Sequence, residues 1–155
     1  VPSQNQFIYY FMLAEQYENL NNDDKAQENY EKAYAMRPEY IKGLIDYANF
    51  TLNQNKFDKT LELIERAKDN EDQKFNYYLI KGKAMMGLGR YADAIAEFLE
   101  GNKIYNSDLG LLNSLGFCYQ KTDQKKEALE ILNISLKLNP EQEQVKALIK
   151  EIEKK

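Results

Sequence analysis

Counting back from Pro38 and Pro140, the same pattern of apolar and small residues returns four times at an interval of about 34 residues. A recurrence of that length restricts the chain to repeat architectures, because one short unit cannot bury its apolar face alone and must stack on its neighbours. The first unit reads Tyr10, Leu13-Ala14, Tyr17, Ala26, Tyr30, Ala33 and Pro38; the last reads Leu112, Leu115-Gly116, Tyr119, Ala128, Leu132, Ser135 and Pro140. After a linker over residues 1–6, the units run without insertion from Phe7 to Tyr40, Ile41 to Lys74, Phe75 to Asp108 and Leu109 to Gln142. Within each, one apolar stripe at helical spacing (Leu44, Tyr47-Ala48 and Thr51 in the second) precedes another (Ile64 and Ala67), with a polar turn between. The spacing predicts two antiparallel helices per unit and an all-α fold. Small residues at Ala14, Ala48, Gly82 and Gly116, and again at Ala26, Ala94 and Ala128, let helix backbones approach, while Tyr30, Ile64, Phe98 and Leu132 fill the space between.

These residues, at this interval, resemble the tetratricopeptide repeat signature over almost the whole chain. The resemblance implies a right-handed α-solenoid of helix-turn-helix repeats, and a non-enzymatic module that displays a surface for other proteins. Some positions depart from the pattern: Thr60 stands where alanine is expected, Lys81 where leucine is, and Gly101 replaces an alanine late in a helix. Glycine there costs about 1 kcal/mol relative to alanine. A slight rotation of that repeat's first helix gives Ile80 the core role and leaves the Lys81 stem along the surface with its amine in water. Asp72 and Asn106 replace the usual proline, and both residue types make turns without it.

The two ends differ. Val145, Leu148, Ile149 and Ile152 fall at i, i+3, i+4 and i+7 with Glu and Lys between them, one apolar face of a last helix over residues 143–155 that caps the stack. Phe7 to Ala14 (FIYYFMLA) is apolar on every side, and such a helix is normally covered. Together with a start at Val, this points to an excised domain whose upstream residues, or a second copy, cover that end. The same segment is far shorter than the roughly 20 apolar residues that span a bilayer, so membrane insertion is not expected.

With 155 residues, 43% of them hydrophobic and glycine and proline sparse, the chain reads as one small helical domain. A net charge of −4 without a basic cluster offers no footprint for phosphate backbones, which disfavours nucleic acid. Cys118 has no partner for an internal disulfide and reads as a small buried hydrophobe. There is no histidine, which removes the usual general base and most zinc sites. The acidic run Asp69, Glu71, Asp72 lacks the glycine and the terminal Glu of a calcium loop, with Ile80 in the latter place. Gly82, Gly87 and Gly89 lack the lysine of a phosphate loop, Leu88 standing there. The sequons at Asn49 and Asn133 lie inside expected helices. No cofactor, metal or catalytic residue is therefore assigned.

The resemblance also supplies a surface. In tetratricopeptide proteins the second, fifth, ninth and twelfth residues of each repeat line a concave groove that holds peptides. Here that gives apolar Ile8, Phe11, Ile45, Leu52, Leu79, Met86 and Phe117, with Glu15, Lys42, Asn49, Asn76, Lys83, Asn113 and Gln120 among them. Apolar pockets interleaved with amides suit an extended or helical peptide. Members that clamp a C-terminal carboxylate need lysine at the fifth position and asparagine at the ninth of the first repeat, where this chain has Phe11 and Glu15. Heat-shock chaperone tails are therefore disfavoured as partners. The alternative is a module that docks within a larger protein, or forms a homodimer through Phe7, Ile8, Phe11 and Met12 on the N-terminal helix.

Overall fold

Each reversal between paired helices is made by the same device. In the computed structural model, which describes residues 3–154, the fifteenth residue of every repeat is left-handed: Asn21 at φ 55°, Asn55 at 57°, Gly89 at 74° and Asp123 at 60°. Asparagine, aspartate and glycine tolerate that region where other residues are strained. The next residue then reaches back five positions, with N–H bonds from Asn22 to Tyr17 O, Lys56 to Thr51 O, Arg90 to Met85 O and Gln124 to Tyr119 O, all 2.8–2.9 Å. These bonds occupy carbonyls that the helix end leaves open.

Two units follow, divided after Asp69. The first holds two hairpins, α1 (Gln6–Asn19) with α2 (Asp23–Met36) and α3 (Ile41–Asn53) with α4 (Phe57–Glu65). Its core is aromatic: Tyr30 stacks on Tyr47 at 5.2 Å and tilts against Phe50 at 5.1 Å, while Phe11 lies 5.5 Å from Tyr40. Ala14, Ala26, Ala33 and Ala48 are fully buried, so the backbones close up around those rings. Thr60 fits among them because its hydroxyl lies 2.9 Å from that of Thr51. One hydroxyl donates to the other, and the accepting one donates back along its own helix, Thr51 to Ala48 O or Thr60 to Lys56 O. The two polar groups that would be costly if unpaired in a core satisfy one another.

The second unit holds α5 (Lys74–Gly87) with α6 (Tyr91–Ile104), α7 (Leu109–Lys121) with α8 (Lys125–Leu138), and α9 (Glu143–Lys154). A 3-10 turn, Glu71–Gln73, leads into α5, and Asn70 caps it by accepting from Gln73 N. Asp108 caps α7 by accepting from Leu111 N at 2.7 Å. These caps replace the missing prolines by satisfying open N–H groups. Gly101 is explained by its neighbour, since a Cβ there would stand 2.9 Å from Leu111 Cδ1.

Ile80 takes the core position as the sequence suggests, but the Lys81 ammonium is bound by neighbouring side chains rather than free in water. It donates to Tyr77 Oη at 2.8 Å and pairs with Glu97 Oε1 at 3.2 Å. Burial works against its charge, yet the bonds to Tyr77 and Glu97 outweigh that and hold its pKa above the ordinary value.

Val145, Ile149 and Ile152 of α9 are buried with Leu148 half-buried, and Gln142 Nε2 bonds Ser135 O and Asn139 O at the corner. Among the described residues no helix is long and apolar enough to cross a membrane.

Candidate functional site

In the first unit, α1 and α3 meet along one side and leave a cavity of about 270 Å³ lined by Ile8, Phe11, Met12, Glu15, Tyr40, Lys42 and Asp46. The helical period explains the lining. Residues 8, 12 and 15 share one face of α1, residues 42 and 46 one face of α3, and Tyr40 enters at the N-cap of α3. Phe11 forms the floor, its ring held 5.5 Å from Tyr40 and 6.3 Å from Tyr30. Lys42 Nζ donates to Asp46 Oδ2 at 2.7 Å across one turn, and this bond holds the lysine pKa above its ordinary value. Behind the cavity, Tyr30 Oη donates to Glu18 Oε2 at 2.9 Å. Burial first, then the charge of Glu18, with Asp46 and Glu15 adding to it, push this phenol well above its usual range.

Four of the expected groove residues, Ile8, Phe11, Glu15 and Lys42, therefore share one cavity. Met12, Tyr40 and Asp46 join them without having been expected in the groove, although Met12 and Asp46 sit one helical turn from Ile8 and Lys42. Ile45 is 7% exposed, lies among the core residues and does not line the cavity. Leu52 is half-buried and Asn49 exposed, both on α3, and neither lines the cavity.

The four residues of the self-association set differ in exposure. Phe7 and Phe11 are 8% and 7% exposed, because Phe7 packs edge-on against Tyr40 at 5.1 Å and Phe11 fills the space left by Gly43. What α1 does present is Met12, with Tyr9 beside it, 60% and 57% exposed, while Ile8 is half-buried.

In the second unit, Asn76, Leu79, Lys83 and Met86 are half-buried on α5, and Asn113, Phe117 and Gln120 on α7. The amides expected to read a peptide backbone are largely committed. Asn113 donates to Gln142 Oε1 at 2.8 Å and accepts from Ser135 Oγ at 2.6 Å, tying α7 and α8 to the start of the last helix. Asn76 donates to Gln73 Oε1 at 2.8 Å. Gln120 Nε2 donates to Glu151 Oε1 at 3.3 Å and lines a second cavity of about 270 Å³ with Lys121, Asp123, Lys125, Glu151 and Ile152. Phe117 meets Tyr91 edge-on at 6.0 Å, and the Lys121 ammonium lies 5.2 Å from its centroid.

Repeated helical hairpins turned by one left-handed residue, with a mixed apolar and charged face on their first helices, define the class of helix-turn-helix repeat proteins. The tetratricopeptide repeat profile matches residues 8–40 and 109–142. Residues 8–40 and 109–142 are thus tetratricopeptide repeats and the chain has the fold of that family, whose members are generally protein-interaction scaffolds and typically non-catalytic. Thr60, Lys81 and Gly101 all fall between the two matched segments.

Similar solved structures include the Cut9–Hcn1 hetero-tetramer of the APC/C, with a TM-score of 0.83 at 20% identity over 94% of this chain and 29% of that one. MamA from Desulfovibrio magneticus RS-1 gives 0.80 at 17% identity over 90% and 79%. A thermophilic TPR protein of Thermus thermophilus gives 0.73 at 16% identity over 92% and 79%. At these identities the likeness is one of fold. No curated protein matches the sequence.

Proposed function

We propose that the chain binds a peptide segment of a partner protein on the first helices of its hairpins, with the cavity between α1 and α3 of the first unit as the anchor site. The observation that supports this most directly is that cavity, where apolar Ile8 and Met12 stand over an aromatic floor beside Glu15 and Lys42. Such a lining takes an apolar side chain and orients the rest of the peptide by polar contacts. In the second unit Leu79, Met86 and Phe117 are half-buried on the first helices of its own hairpins. Repeat boundaries at 7–40, 41–74, 75–108 and 109–142, with the last helix as cap, go with this reading. The carboxylates of Glu15 and Asp46 count against a chaperone-tail carboxylate as ligand, since like charges repel at the site.

A peptide array supplies the ligand, and calorimetric titration then ranks the surfaces. Ile8→Ala and Met12→Ala are expected to weaken binding by up to about thirtyfold, the equivalent of about 2 kcal/mol at an interface hot spot. Glu31→Ala on exposed α2 is expected to stay within about twofold. Loss of binding in the α2 variant alone would exclude this face.

The exposure of Tyr9 and Met12 supports a second reading, a homodimer through α1. Sedimentation would then show a concentration-dependent dimer that Tyr9→Glu abolishes, whereas a monomer at all concentrations removes this reading.

A further inference from the structure

Building on the peptide-binding reading, we infer that the cavity between α1 and α3 selects a cationic segment, one apolar anchor flanked by lysine or arginine. At about 270 Å³ the cavity falls just below the roughly 300–1,000 Å³ of small-molecule sites and has room for one large side chain. The apolar surface of Ile8 and Met12 serves that anchor. The charges around it do not cancel: Lys42 bonds Asp46 at 2.7 Å and also feels Glu15, so one ammonium faces two carboxylates, and Glu15 is exposed and takes part in no ion pair among the described residues. Glu18 stands behind them on the same helix, bonded to Tyr30 Oη.

Support also comes from inside the unit, where the Tyr30 phenol feels Glu18, Asp46 and Glu15, so all three carboxylates lie within electrostatic reach of one hydroxyl. The basic residues of α2 and its C-cap have partners of their own, Lys32 with Glu28 and the Tyr10 ring, Lys25 with the Tyr17 ring, and Arg37 with Glu39 and the Phe7 ring. Half-buried Tyr40 adds an aromatic face, which attracts a guanidinium or ammonium as well as an apolar group. An acidic peptide would meet a net negative charge; a basic one meets complementary charge.

The test uses the full chain and fluorescein-labelled peptides of one length, each with a central leucine flanked by lysine, glutamine or glutamate, read by fluorescence anisotropy. The lysine peptide is expected to bind about tenfold more tightly than the glutamate peptide at low salt, each exposed charge pair giving about two- to fivefold. That gap should close near about 1 M salt, where the screening length falls to about 3 Å. Glu15→Gln should narrow it, and Asp46→Asn, which frees the Lys42 ammonium, should narrow it further or reverse it. Equal affinity for the three peptides, still lost in Met12→Gln, overturns the cationic selection and leaves the binding face standing. Binding of none of them, or binding indifferent to Met12→Gln, overturns both.

Discussion

The ring of Phe11 occupies the place where a side chain on Gly43 would begin, with three of its carbons within 2.5 Å of that position. The ring has no room to retreat, because Phe7, Tyr30 and Tyr40 surround it. Gly43 therefore joins α3 to α1 and fixes the floor of the cavity.

Gly43→Ala tests that contact. In an exposed helix this change gains about 1 kcal/mol, whereas overpacking a core costs about 1–3 kcal/mol. The variant is expected to melt below the wild type, and Phe11→Leu in the same chain is expected to recover part of the loss. A rise in melting temperature from Gly43→Ala alone would mean the helices can separate at little cost. Gly116→Leu makes the same argument in the second unit, where the Leu132 side chain lies 2.5 Å from the added Cβ.

Much of this was legible beforehand, and the limits have physical causes. The all-α repeat fold and the buried small residues follow from spacing, which reports the face of a helix a residue lies on. Spacing does not report what a neighbouring helix does to that face. Phe11 lies at a surface-directed position, and only the missing side chain at Gly43 lets it sink. Asn113 looks available for a peptide until Ser135 and Gln142, from other helices, take its amide. The partner of Lys81 is likewise hidden because Glu97 sits on the following helix.

That pair makes a second prediction. With side chains 19% and 18% exposed, Lys81 and Glu97 are closer to a buried pair than to a surface one. Breaking fully buried pairs costs about 3–5 kcal/mol, so Lys81→Met is expected to cost roughly 1–3 kcal/mol in urea unfolding. Lys81→Met combined with Glu97→Met should restore most of it. If the double variant is as unstable as the sum of the singles, the two charges do not depend on each other.

Alkaline pH provides a third. Burial alone pushes the Cys118 thiol from 9.0 up to about 12, and burial followed by the charges of Glu31 and Glu62 pushes Tyr47 to about 12. Both folded-state values lie above those of the unfolded chain, so the unfolded state ionises first. Stability is then full below about pH 9 and drains between about pH 9 and 12. Chemical unfolding midpoints across that range should fall progressively, with Cys118 slow to alkylate until the chain unfolds. A flat midpoint through the window would contradict the burial of these groups.

The last helix gives a fourth. Fully burying each apolar side chain contributes about 1.5–3 kcal/mol, and α9 brings Val145, Ile149 and Ile152 into the core. Truncation after Pro140 is expected to expose α7 and α8 and to cause aggregation. Unchanged solubility and melting would show that α9 is not docked in solution.

The most direct test of the central claim, that α1 and α3 carry the partner, is amide chemical-shift mapping with the array-selected peptide. Binding should perturb Ile8, Met12, Glu15, Lys42 and Asp46 while leaving Glu31 on α2 and Glu62 on α4 in place. Perturbations confined to α2 and α4 would contradict it and assign recognition to the second helices of the hairpins.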